Sequence, residues 1–136
     1  MERCNCDFGE LRDYGGEPTV LNIQRLAVKN RNFRIALWTG KYLQTTLMSI
    51  PTGGEIGAEL HHDTDQFIRI VQGRGAVFFG KTRDSLKEVK RVDGNYGVFV
   101  PAGMWHNIKN IGNTPLKLYS VYAPPHHTFG TVEKYG

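Results

Sequence analysis

The stretch GGEIGAELHHDTDQFIRIVQGRG, residues 53–75, gathers Glu59, His61, His62, Asp63, Asp65 and Gln66 between glycines. Imidazoles and carboxylates at such density can bind a cation or move a proton. In an extended chain, residues two apart share a face. Glu59 and His61 then point one way, and Leu60 and His62 the other. Asp63 to Asp65 is a polar break, with both aspartates read as turn caps. In the next run Gln66, Ile68 and Ile70 share a face opposite Phe67, Arg69 and Val71. Burying Arg69 unpaired is costly, so the Gln66 face is the inner one. Further on, His106, Ile108 and Asn110 alternate with Asn107 and Lys109. Lys109 belongs in water, which turns His106 inward. Glu59, His61, Gln66 and His106 are therefore expected to meet inside a sheet. An inward Glu is expensive without a partner. Two imidazoles, a carboxylate and an amide oxygen around a divalent cation satisfy every group, and N/O sets of this kind suit Mn, Fe, Ni, Co or Zn. A hydrogen-bonded polar cluster without an ion is the competing reading.

The elements that position these groups are short. Sixteen glycines and six prolines punctuate the chain. Between them lie runs rich in Val, Ile, Leu, Phe, Thr and Tyr: 33–38, 43–50, 67–71, 76–79, 98–100 and 116–122. Evenly spaced short strands indicate an all-β sandwich or barrel. Residues 86–92 read as a further strand. Residues 19–30 suit either a helix, with Val20, Ile23 and Leu26 as a stripe, or an extended arm. Val100-Pro101-Ala102-Gly103 suits a type I turn. Gly73-Arg74 suits a type II′ hairpin joining 67–72 to 76–79. Asp93-Gly94-Asn95 is a third turn. Trp38, Phe99 and Trp105 read as core or pocket wall.

A chain of 136 residues suits one domain. We expect an N-terminal arm over 1–32 packing on a barrel over 33–136. The 17 basic residues against 13 acidic ones are scattered, which argues against a nucleic-acid partner. No apolar run approaches the roughly 20 residues that span a bilayer, and the charged N-terminus lacks the apolar core of a secretory signal. The reading is a cytoplasmic protein with neither nucleic acid nor membrane as partner. Cys4 and Cys6 make a poor zinc site without a second pair, and read as reduced thiols. Apolar Phe67 and Val71 on the outer face of their strand need a cover, either the N-terminal arm or a second subunit. A homodimer is expected.

The spacings resemble the two motifs of the cupin family. The first, G-x5-H-x-H-x4-E-x6-G, meets Gly53, Glu59, His61, Gln66 and Gly73 in register. The second, G-x5-P-x-G-x2-H-x3-N, meets Pro101, Gly103, His106 and Asn110. Its opening glycine is Asn95, a residue tolerant of left-handed backbone. The resemblance implies a cupin jelly-roll barrel (a double-stranded β-helix) with a metal in its mouth. Within the family the chain is similar to small cupins called mannose-6-phosphate-isomerase-like. Two ligand positions depart from the pattern: Glu59 stands for the first His and Gln66 for the Glu. The carboxylate has changed places with a neutral ligand, so the ligand charge is conserved. Replacement of Gln66 by water would leave two His and one carboxylate, favouring Fe or Mn, with Ni, Co or Zn admissible.

Three functions follow from the resemblance. One is isomerase-like chemistry on a small carbonyl or hydroxyl compound such as a sugar or keto acid. Another is an Fe(II)-dependent dioxygenase. The third is a non-catalytic small-molecule-binding cupin. No catalytic base stands out, and His126 and Tyr119 are the candidates. His62 falls on the wrong face for a ligand. His126 and His127, in APPHHTFG, lie either in a surface loop or in a flap over the mouth.

Overall fold

The computed structural model describes residues 9–136; Cys4 and Cys6 lie outside them. Among the described residues one α-helix precedes nine strands: α1 Ile23–Lys29, β1 Arg34–Thr39, β2 Gln44–Ile50, β3 Asp65–Gln72, β4 Gly75–Gly80, β5 Lys87–Val92, β6 Gly97–Val100, β7 Trp105–Asn110, β8 Leu116–Ala123 and β9 Val132–Glu133. The strands form two antiparallel sheets, one in the order β6-β3-β8-β2-β1-β9 and one in the order β5-β4-β7. This is the jelly-roll architecture expected.

The undecided segment 19–30 is helical over Ile23–Lys29. The Asn22 side chain accepts a hydrogen bond from Arg25 N (3.1 Å), satisfying a donor in the first turn. Leu26 and Ala27 are fully buried on the outer face of the large sheet with Ile35, Leu37 and Leu47, and Val71 and Tyr119 pack against this cluster. The N-terminal segment thus covers Val71. It does not cover Phe67, which stacks on Phe99 at a ring-centroid distance of 4.8 Å. Phe99 is 73% exposed, so of the two roles expected it is pocket wall and not core, lining an open pocket with Phe67, Val100 and Pro101. It lies at the outer face of the edge strand β6, left largely open by the described residues.

The main core lies between the sheets: Met48, Ile50, Ile68, Ile70, Val77, Val98, Val100, Ile108, Leu116 and Leu118 interdigitate there. These are the alternate positions facing inward, and burial along β3 alternates as expected, with Gln66, Ile68 and Ile70 buried.

Two turns differ from expectation. β3 and β4 do not pair as a hairpin: β3 pairs with β6 and β8, and β4 with β5 and β7. Gly73-Arg74 instead carries the chain from one sheet to the other. Gly73 has φ +95°, and a Cβ there would come within 2.9 Å of Pro115 O. The corner therefore needs glycine for both backbone shape and room. The turn after β6 sits one residue later than expected. Met104 N donates to Pro101 O (3.2 Å), which puts Gly103 third, at φ +85°. Asn95 adopts φ +77°, the left-handed conformation anticipated for it. Among the described residues no helix is long and apolar enough to cross a membrane.

Candidate metal centre

Segment 53–62 is not the continuous strand that the face assignment assumed. It touches β7 through isolated bridges, Glu55 to Lys109 and Glu59 to His106. The second bridge fixes the site: Glu59 N donates to His106 O (2.9 Å) and His106 N donates to Glu59 O (3.0 Å). Asn107 adds a side-chain clamp, donating to Glu55 Oε1 (2.8 Å) and accepting from Gly57 N (2.9 Å). His61 is held from the other side, its carbonyl accepting from Gly103 N (2.8 Å). Asp65 caps the same turn, accepting from Ala102 N (2.9 Å). Pairing Glu59 with His106 places the two motifs side by side although 47 positions separate them in the chain.

The structure brings Glu59, His61 and His106 together, with one donor atom from each lying within 4.8 Å of the others. His61 Nε2 is 3.5 Å from Glu59 Oε1, and His106 Nε2 is 3.9 Å from the same oxygen. Both imidazoles are buried. His106 Nδ1 lies 3.1 Å from Met104 O and donates to it, which leaves the Nε2 lone pair facing the cluster. That Nε2 and both His61 nitrogens have no hydrogen-bond partner. Buried polar atoms are normally paired, so an orphaned nitrogen from each of two imidazoles beside a carboxylate fits a cation. Two His and one carboxylate form the facial set associated with Fe(II).

Gln66 sits on the inner face of β3, buried. Its Nε2 donates to Ser120 Oγ (3.2 Å), and its Oε1 has no partner. The amide is thus oriented with a free acceptor. His62 is exposed. Tyr119 packs with the outer cluster, not in the mouth. Tyr122, three residues on, is the tyrosine that faces inward: it pairs with Gln66 across the sheet, and its ring lies 5.8 Å from His61.

Segment 124–133 crosses the mouth. The His126 ring is 4.1 Å from His61, and His127 Nε2 is 3.3 Å from the Tyr122 hydroxyl. Gln44, fully buried, holds the segment: its Oε1 accepts from His126 N (3.2 Å) and His127 N (2.8 Å), and its Nε2 donates to His127 O (2.9 Å).

Arg34, Gln44 and Glu133 are site residues that sequence reasoning missed. Arg34 is buried on β1, 2.6 Å from Glu133 Oε1 and 3.6 Å from Glu59 Oε2. It joins the mouth to the crossing segment. The burial-cost rule that turned Arg69 outward would have turned Arg34 outward too. Glu133, 99 positions away, was the missing signal.

Charge in the site is set by this arrangement. Burial pushes the Glu59 carboxyl up, but the close approach of the His61 imidazole and the charges of Arg34, His61 and His106 overcome it, and the net shift is down. Burial lowers His106, with the Met104 carbonyl opposing. Burial also lowers His126, helped by His61. His127 is lowered to about 4 by burial, then by Arg34 and His126. An imidazole with a depressed folded pKa binds fewer protons folded than unfolded. Stability is then complete above its ordinary value of 6.5 and is lost as pH falls towards 4. The full shift would be worth roughly 3 kcal/mol, and partial exposure of His127 reduces this to about 1 kcal/mol. Metal-free protein should therefore melt at a lower temperature at pH 5 than at pH 7. His127→Asn should flatten that dependence, and an unchanged slope in the variant would contradict the assignment.

A jelly roll with a His/carboxylate cluster in its mouth defines the class of protein. Comparison with known proteins agrees. The cupin domain model matches residues 46–122. Protein YrkC of Bacillus subtilis is 56% identical over 91% of this chain and 67% of its own length. The crystal structure of BH2720 from Bacillus halodurans superposes with a TM-score of 0.89 at 51% identity, covering 91% of this chain and 94% of that one. A predicted oxalate decarboxylase from Thermotoga maritima superposes with a TM-score of 0.54 at 25% identity, over 61% of this chain and 67% of its own. The chain belongs to the cupin family.

Proposed function

We propose that this cupin is a metal-dependent enzyme acting on a small compound with neighbouring carbonyl and hydroxyl groups, a sugar or keto acid, by isomerase-like chemistry. The observation that carries the reading is the convergence of Glu59, His61 and His106 with unpartnered imidazole nitrogens. A bound divalent ion, Fe or Mn by donor type, would polarise a carbonyl oxygen there. The remaining roles belong to the chain. Arg34 orients the Glu59 carboxylate from one side. Burial holds the Tyr122 hydroxyl protonated and His127 neutral, so the pair can hold and pass a proton at the mouth. The Thermotoga neighbour, described as a predicted oxalate decarboxylase, supports small carboxylic acids as a substrate class.

Protein purified without a histidine tag should carry stoichiometric metal. In D2O it should exchange the C–H beside the carbonyl in at least one member of a panel of keto acids and sugar phosphates, read by proton NMR. Exchange should vanish in His106→Ala. Absence of metal, or exchange unaffected by that variant, would overturn the proposal. The facial set of two His and one carboxylate favours a second reading, an Fe(II) dioxygenase. Oxygen uptake by the Fe(II)-loaded protein with the same panel separates the two.

A further inference from the structure

We propose that His126, carried by the segment that crosses the mouth, is a protein ligand to the metal and supplies a third imidazole beside His61 and His106. The inference rests on the metal-centre reading above and deepens it.

The ring geometry is the first support. A metal–imidazole bond is about 2.0–2.1 Å, so two imidazoles at neighbouring positions on one ion hold their ring centroids about 4.5–5 Å apart. The His61 and His106 rings are 5.2 Å apart, and the His61 and His126 rings are 4.1 Å apart. His126 thus stands in ring contact with His61, closer than a shared ion would hold it, so ligation would move the two rings apart. Its nitrogens lie outside the compact Glu59–His61–His106 set, so ligation needs a turn of the ring about its side-chain bonds. The residue is exposed at the rim, on the open side of the rings of His61, Tyr122 and His127 that it touches.

The backbone is the second support. Gln44 fixes the peptide groups of His126 and His127 from inside the fold, while none of these hydrogen bonds uses the His126 ring. The buried Gln44, which also donates to Thr39 Oγ1 (3.0 Å), thus holds the backbone of the segment in place and leaves the His126 imidazole out of that network. His127 differs: its Nε2 faces the Tyr122 hydroxyl. The adjacent histidines therefore separate into one ring tied to the wall and one ring free beside the metal cluster. β9 pairing with β1 and the Arg34–Glu133 bond anchor the far end of the segment.

The test uses the full chain without a histidine tag, stripped of metal and titrated with Co(II). Affinity is followed by competition and geometry by the visible absorption of the ion. Wild type should bind one Co(II) per chain. His126→Ala should lose about 10-fold or more in affinity and show shifted, weakened visible bands as water replaces the ring. His127→Ala should stay within about 3-fold of wild type with the same bands. Equal affinity and identical bands in His126→Ala would overturn the inference while leaving the three-residue centre intact. Equal losses in both variants with unchanged bands would also overturn it, marking the segment as a packing element. If wild type fails to bind Co(II), the metal-centre reading falls and the inference with it.

Discussion

His106→Ala is expected to weaken divalent-metal binding by about 100-fold or more. Even partners that merely orient a ligand are worth 10- to 100-fold, and His106 is itself a donor. It is 1% exposed on β7, its Nδ1 committed to Met104 O and its Nε2 free towards Glu59. Its inward neighbour on the strand, Ile108, cannot replace it. Titration of stripped protein with Mn(II) and Co(II), together with elemental analysis of the tag-free variant, checks the loss. Circular dichroism should remain that of a β-rich fold. His62→Ala, on the exposed neighbour of His61, should leave affinity unchanged. Full metal content in His106→Ala would remove the site from the barrel mouth.

Ile68→Ala is expected to destabilise the fold by about 3 kcal/mol, within the range for large-to-small changes at fully packed positions. Ile68 is completely buried between the sheets, pairs with Val98 on β6 and Ser120 on β8, and lies two positions from Gln66 on the same face. The cavity would open under the floor of the site. In urea the midpoint should fall with an unchanged m-value. Val89→Ala, at a residue 52% exposed on β5, should cost less than about 0.5 kcal/mol. Comparable losses at both positions would mean that the core is not where the structure puts it.

Most of the barrel could be read from residue pattern because its inner face obeys one rule. Alternation along β3 and β7 put Gln66, Ile68, His106 and Ile108 inside and Lys109 outside. Glu59 and His61 were placed together by the same parity, although their segment is an irregular ribbon held by single bridges. The agreement there owes more to Glu59 pairing with His106 than to strand regularity. What stayed hidden depends on contacts between distant residues. Arg34 is buried because Glu133 and Glu59 flank it, and no local pattern records that. The strand partners on either side of Gly73 were misread for a similar reason. A two-residue connection looks the same whether it folds a hairpin or turns a corner, and Pro115 O, the atom crowding Gly73, is 42 positions away. Helix α1 was ambiguous because its apolar residues suit either conformation, and the Asn22 cap tips the balance.

Arg34 also makes two regions of the chain answer to one another. The same guanidinium meets Glu59 in the ligand cluster and Glu133 beyond the crossing segment. A cation arriving at Glu59 competes with the guanidinium for that carboxylate and leaves Glu133 a larger share of it. Loading the centre would thus tighten the roof above it, and Glu133→Gln, which touches no ligand, is expected to be felt as altered occupancy below.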